Sequence, residues 1–259
     1  MIDERTIVKQ LNTRWLGKSI RVFDTIDSTS DYLIGIARTS PERGLVVVAD
    51  EQTRGRGRFG RRWFSPRGSG VWMSLMIGDI RLSGDSPALS LAVASCIYDA
   101  IKSLYNIDLT IKWPNDLIYE NRKLAGILLE SVIGRDLEKY VICGIGVNTD
   151  LSDVDIPIKL GANIISLAEI TDAFVERDTL ISEILNNLEF ILDSLRDGSL
   201  NIRALLFGKD CLVGRRVRWY DNHYELTGTI SGFREDGALI LNCEEKEHCL
   251  VSGSIDIFI

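Results

Sequence analysis

The sequence predicts an α+β fold: a mixed β-sheet with helices on one face, followed by a small C-terminal β-barrel of the SH3-like type. Three observations lead there. Two segments, "SPALSLAVASCIYDAIKSLY" and "RDTLISEILNNLEFILDSLRDG", repeat apolar residues at helical spacing. Around them lie short runs rich in β-branched and aromatic residues, separated by turn formers. Near Cys211 the character changes, and only strand-length runs follow.

In chain order, "STS" at Ser28 to Ser30 precedes a helical pattern, and Ser28 through Asp31 has the form of a capping box. "LVVVA" and "VWMSLMI" are strands by composition. The first long helix takes Ser86 as N-cap and Pro87 in its first turn, with Leu89, Val93, Ile97 and Ile101 on one face. "LTIKW", "LAGILLESVI" and "YVICGIGV" are further strands, with a hairpin-length gap around Glu120 to Arg122. The second helix presents Ile181, Ile184, Leu188, Ile191 and Leu195, and Gly198 closes it. After Gly214 come "RVRWY", "ELTGTISGF", "ALILN", "HCLVS" and "DIFI", broken by Asp221-Asn222 and Asp236-Gly237, which suits a small barrel.

With 259 residues, 45% of them hydrophobic and 26% charged, the chain can bury a sizeable core. A formal net charge of −7 opposes nucleic acid or an anionic membrane across the surface as a whole, so any anion site must be local. The five cysteines are scattered and form no CxxC pair, which argues against structural zinc and for reduced thiols in a cytoplasm. The start, "MIDERTIVKQ", lacks an apolar signal core, and no membrane partner is expected.

Positive charge gathers in "TRGRGRFGRRWFSPRGSG", Thr53 to Gly70, where six arginines and five glycines share eighteen residues. Glycine lets backbone N–H groups close on an anion, and arginine adds forked donors for phosphate or carboxylate. Gly55, Gly57 and Gly60 satisfy G-x-G-x-x-G, but "RRWFSPRGSG" follows where a dinucleotide-binding turn must open a helix. Neither "GKS" nor "GKD" has the upstream glycine of a phosphate loop. From this segment alone, a solvated arginine loop or one that touches RNA stands equally open, and like charges predict mobility until an anion arrives.

Four segments together settle the reading: "GRGRFGRRWFSP", "KWPNDLIYENRKLAGIL", "IDSTS" and "GIGVN". The chain resembles the biotin protein ligase family from about residue 22 to its end, the terminal "GALIL" included. The resemblance implies a class II synthetase-like fold of the biotin/lipoyl ligase type. Residues 1–211 would form a catalytic biotin- and ATP-binding domain and 212–259 the SH3-like domain. It implies an ATP-dependent ligase that converts biotin to biotinyl-5′-AMP with release of pyrophosphate and then biotinylates a lysine of a biotin carboxyl carrier protein or domain. Such chemistry needs no nucleophilic side chain, only charge stabilisation and positioning.

The resemblance assigns catalysis to Lys123, Arg58 and Lys112, with Lys123 holding the biotin carboxylate against the α-phosphate. It assigns biotin to Ser28, Thr29, Gln52, Gly55, Arg56, Lys123, Gly126 and Leu128. It assigns ATP and the adenylate to Arg56, Gly57, Arg58, Trp63, Lys112, Asn115, Asp116 and Asn148. Magnesium would arrive on the ATP phosphates near Asp116, with no protein metal site. Lipoate–protein ligation and a nucleic-acid-binding regulator are the alternatives. The chain departs from the family at Arg54, where a small residue is common, and at Ser30, where asparagine is common. About twenty residues precede "FDTIDSTSDYL", too few for a winged helix, so specific DNA binding is not expected. Homodimers are common among such ligases.

Overall fold

Seven strands build the larger sheet of the computed structural model, which describes residues 2–78, 87–221, 223–244 and 246–258. They are β1 (Ile20–Ile26), β2 (Val46–Gln52), β3 (Gly70–Gly78), β4 (Thr110–Lys112), β5 (Asp116–Tyr119), β6 (Arg122–Ile133) and β7 (Lys139–Asn148), in spatial order β1-β2-β3-β7-β6-β5-β4. Only β1 and β2 run parallel, so the sheet is mixed, as expected. β1 is a strand that composition does not announce: it lies at the sheet edge with most of its residues half-buried or exposed, which blurs its apolar pattern. The gap at Glu120 to Arg122 is the β5–β6 hairpin, turned by Glu120 and Asn121 at φ 47° and 63°.

The helices are α1 (Glu4–Gln10), α2 (Thr29–Thr39), α3 (Ala88–Tyr105), α4 (Ile158–Gly161), α5 (Leu167–Thr171), α6 (Arg177–Asp197) and α7 (Ile202–Leu206). Gly198 ends α6 in the left-handed region at φ 78°, as its position predicts. Ser86, expected to cap α3, lies outside the described residues, as do Asn222 and Ile259. By length and hydropathy α3 could span a membrane, but most of it is buried within the fold as a core helix.

The main core joins α1, α3 and α6 to one face of the sheet through Val46, Val48, Met73, Leu75, Cys143 and Ile145. On the reverse face Leu33 and Ala37 of α2 pack on Val47, Met76 and Ile142. Helices on one face thus describes α1, α3 and α6, while α2 takes the other. The physical reason lies in the central strands: Val46 to Val48 and Leu75 to Ile77 are fully buried, so both faces need cover. Because α2 is short, it covers only part of that second face, and the remainder is open to a ligand.

A second, antiparallel sheet follows, with β8 (Arg216–Tyr220), β9 (Glu225–Phe233), β10 (Leu239–Cys243), β11 (Lys246–Leu250) and β12 (Ser254–Ile257) in the order β11-β10-β9-β8-β12. Its Val217, Trp219, Ile230 and Leu239 belong to the same core cluster as α3 and the large sheet. Three polar contacts reinforce the junction. The Trp113 indole N–H donates to Gly237 O at 3.2 Å, Ala88 N–H to Asp236 O at 3.2 Å, and Arg203 Nε to Phe233 O at 2.7 Å.

Candidate active site

Strand register places the candidate site. Ser74 of β3 pairs with Gly144 of β7, which pairs with Leu128 of β6, while Trp72, Gly146 and Gly126 form the next row. Alternation sends these rows to the face that α2 leaves partly uncovered. There the glycines make a shallow floor. A Cβ on Gly146 would stand 2.4 Å from Trp63 Nε1, and one on Gly126 2.8 Å from Trp63 Cζ3, so only glycine lets the indole lie down there.

A cavity of about 330 Å³ opens above this floor. The predicted residues Thr29, Gln52, Arg56, Gly57, Arg58, Trp63, Lys112, Asn115, Asp116, Lys123, Gly126, Leu128 and Asn148 all line it. Ser28 and Gly55 do not. Ser28 accepts the Asp31 N–H at 3.3 Å and caps α2, in agreement with the capping reading. Gly55 is drawn into the loop backbone, its carbonyl accepting Trp63 N–H at 2.9 Å.

The arginine loop folds back on itself as a narrow hairpin. Gln52 N–H donates to Ser65 O at 3.0 Å and Gly57 N–H to Arg61 O at 2.8 Å, with a single 3-10 turn at Arg58–Gly60. Its charges find local acids: Arg54 pairs with Asp27, Arg56 with both Asp31 and Glu130, and Arg67 with Asp50 and Glu51. Arg58 turns inward, donating to Asn115 Oδ1 at 3.0 Å, and Asn115 is itself held by its Nδ2 donating to Ile127 O at 2.9 Å. Burial pulls the Arg58 guanidinium below its ordinary value, and the nearby Asp116 charge opposes that fall. It stays protonated at neutral pH.

Lys123 completes the cationic end. Its Nζ lies 2.6 Å from Asp116 Oδ1, an ion pair by distance whose angles fall outside hydrogen-bond geometry, and 5.0 Å from the Trp63 ring centre. Asn148 spends its amide on the backbone, donating to Lys123 O at 3.3 Å and Ile165 O at 3.0 Å, and so fixes where Lys123 stands.

The opposite end gathers hydroxyl and amide groups beside the ion-paired Arg56. Thr29 N–H and Oγ1–H both donate to Gln52 Oε1, at 2.9 and 3.0 Å, and Gln52 Nε2 donates to Ser65 Oγ at 3.0 Å. Ser74 Oγ lies 2.7 Å from Thr29 Oγ1 and 3.0 Å from Ser30 Oγ. Ser74 and Ser30 line the cavity and Ser65 holds Gln52, and none of the three is among the predicted site residues; for Ser74 the available signal was a lone serine inside the apolar run "VWMSLMI". Also missed were Leu160 and Ile164, and the terminal-sheet residues Tyr220, Ser254 and Asp256 at the cavity wall. Among the described residues no group of three or more His, Cys, Asp or Glu side chains gathers as a metal site.

One cavity therefore offers fixed cations at one end and a small set of hydroxyl and amide groups at the other. Known proteins resemble the chain that builds it. Residues 22–148 match the sequence profile of the Biotin/lipoate A/B protein ligase family. The bifunctional ligase/repressor BirA of Bacillus subtilis is 31% identical over 258 residues, spanning 99% of this chain and 79% of the relative. The biotin–[acetyl-CoA-carboxylase] ligase of Mycobacterium tuberculosis is 27% identical over 262 residues, spanning 98% and 95%. Among solved structures, the Aquifex aeolicus biotin protein ligase in complex with biotin and ATP superposes with a TM-score of 0.81 at 25% identity, covering 93% of this chain and 99% of that one. The profile falls on the strands and loop that build the cavity, and the alignment and superposition extend over nearly the whole chain: this protein belongs to the biotin/lipoate A/B protein ligase family.

Proposed function

We propose that this protein is an ATP-dependent biotin–protein ligase. In the first step a carboxylate oxygen of biotin attacks the α-phosphorus of ATP, the bond to the bridging oxygen breaks, and pyrophosphate leaves with biotinyl-5′-AMP formed. In the second, the amine of an acceptor lysine on a biotin carboxyl carrier protein or domain attacks the acyl carbon, AMP departs, and the amine loses a proton. The observation that carries the reading is Lys123 and Arg58 converging at one end of the cavity while Thr29 and Gln52 occupy the other.

That spacing suits a substrate with a flat polar ring, an apolar chain and a terminal acid. Lys123 would hold the acid against the α-phosphate and offset charge as it develops there. Arg58, aimed by Asn115, would meet the phosphate, and Lys112 would lie beside it. Arg56 is braced by two carboxylates, so it would meet the ligand by exchanging one of them. Asp116 carries a carboxylate, the kind of hard oxygen donor magnesium takes, and with the ATP phosphates it would hold that ion by exchanging the Lys123 ammonium that its Oδ1 meets at 2.6 Å. Magnesium supplies charge neutralisation on the phosphates when bound. Residues 1–211 would carry this chemistry, with 212–259 closing the cavity wall through Tyr220 and Asp256.

The test is mass spectrometry for biotinyl-5′-AMP after mixing protein with biotin, ATP and magnesium, followed by biotin labelling of a carrier lysine. Failure of both would overturn the proposal. Lipoate offered in competition distinguishes the two branches of the family.

A further inference from the structure

Arg58, Lys112 and Lys123 all line the cavity, but they are held in different ways. Arg58 is aimed by Asn115, and Lys123 by Asp116 and by the grip of Asn148 on its carbonyl. Among the described residues no hydrogen bond or ion pair holds the Lys112 ammonium, so its place is set by the main chain of β4. That strand has three residues and lies at the edge of the sheet, with Thr110, Ile111 and Lys112 opposite Ile118, Leu117 and Asp116 of β5. In an antiparallel pair alternate residues turn their N–H outward. On that outer edge the Ile111 N–H donates to Lys209 O at 2.7 Å, and Ile111 forms a parallel bridge with Asp210. Residues 209 and 210, in the link between the two sheets, thus cover an edge that would otherwise stand open.

Lys209 is itself fastened from the other side. Its ammonium donates to Asp99 Oδ1 and Oδ2 at 2.7 and 2.8 Å and to Ser95 Oγ at 2.8 Å, and it stands 5.0 Å from the Tyr98 ring centre. Its side chain therefore grips α3 while its carbonyl grips β4. We propose that Lys209 is a positioning residue for adenylate formation: it ties β4 to α3 and thereby fixes where Lys112 meets the phosphates. The inference rests on the biotin-ligase reading and deepens it. Lys209 lies outside the cavity lining and acts through the main chain of Ile111, so it touches no substrate. Its partner Asp99 is half-exposed, and an ion pair of that kind adds little to stability. What the pair supplies is a position, and a displacement of about 1 Å at a reacting group can cost on the order of a hundredfold in rate.

The experiment measures steady-state adenylate formation from biotin and ATP by wild type, Lys209→Met, Lys112→Ala and the double variant. In Lys209→Met kcat is expected to fall about tenfold or more, with the KM for biotin and the melting temperature unchanged. In the Lys112→Ala background the same change is expected to slow adenylation by less than about twofold, because the group being positioned is gone. A Lys209→Met enzyme with wild-type kcat overturns the inference. So does a loss that adds in full to that of Lys112→Ala, or one matched by an equal rise in the biotin KM. If Lys209→Met does not fold, Asp99→Asn decides: a lowered kcat that vanishes in the Lys112→Ala background supports the inference, and any other result overturns it. A Lys112→Ala enzyme with wild-type kcat overturns it too, while leaving the ligase reading in place. A wild type that adenylates no biotin at all overturns the proposed function and, with it, this inference.

Discussion

Lys123 stands between the carboxylate of Asp116 and the face of Trp63, with side chains of the ion pair 31% and 27% exposed. Such a half-solvated pair contributes about 0–1 kcal/mol to stability. Lys123→Ala should accordingly keep the fold and its melting temperature while adenylate formation falls by orders of magnitude; a rate near wild type would remove Lys123 from the chemistry. Gly146 is a different kind of residue, because its role is to be absent above the backbone. Gly146→Ala pushes a methyl into Trp63 Nε1, and the expected outcome is altered tryptophan fluorescence with biotin binding weakened about tenfold or more, read by titration calorimetry. Lys123, Arg58 and Asn115 were legible in the sequence because they sit in contiguous motifs. Ser74 was not, since its place in the cavity depends on the register of β3, β7 and β6, and no local pattern encodes register between strands distant in sequence.

The arginine loop shows how an element answers a local expectation. Like charges predict a segment that stays mobile until an anion arrives, and three of its arginines, Arg54, Arg56 and Arg67, meet acids supplied by the β1–α2 junction, α2, β2 and β6. The glycines, visible in the sequence, allow the tight hairpin; the acids that receive the arginines come from other elements and are invisible to local reading. Glu130→Ala releases one anchor of Arg56, so limited proteolysis between residues 54 and 68 should quicken without ligand and slow again with biotin plus ATP. Unchanged cutting would show that the pairs do not hold the loop. At the other side of the molecule α6 presents Glu189. Burial raises its carboxyl, but N–H donors of Leu16, Trp15 and Arg14 outweigh that and hold it below 4.5. A depressed carboxylate stabilises the fold above its unfolded value of 4.5 and ceases to do so as pH falls through the folded one. Melting temperature should therefore drop more steeply for wild type than for Glu189→Gln between about pH 5 and pH 3.

Across the whole molecule the two sheets share one apolar core, which the change of composition near Cys211 does not disclose. Composition showed five terminal strands because their alternation is local. It could not show that Trp219 and Ile230 pack into the cluster that holds α3, since that contact joins distant parts of the chain. Calorimetry should give a single cooperative transition for both sheets. Two separated transitions would contradict a common core. Trp113→Phe, which leaves Gly237 O without its donor, should lower stability by about 1–3 kcal/mol in denaturant titration.

The indole that reaches Gly237 belongs to the same short segment as Asn115 and Asp116, so the turn presenting those two side chains is moored to the terminal sheet. Gly237 has a φ of 79° and no room for a side chain, with Ala88 N 2.6 Å from where a Cβ would be. A change there shifts the mooring, and the turn shifts with it. Genetic lesions in the tail can consequently impair turnover at a distance, and a loss-of-activity variant mapped to that region does not by itself mark a place where substrate touches the protein.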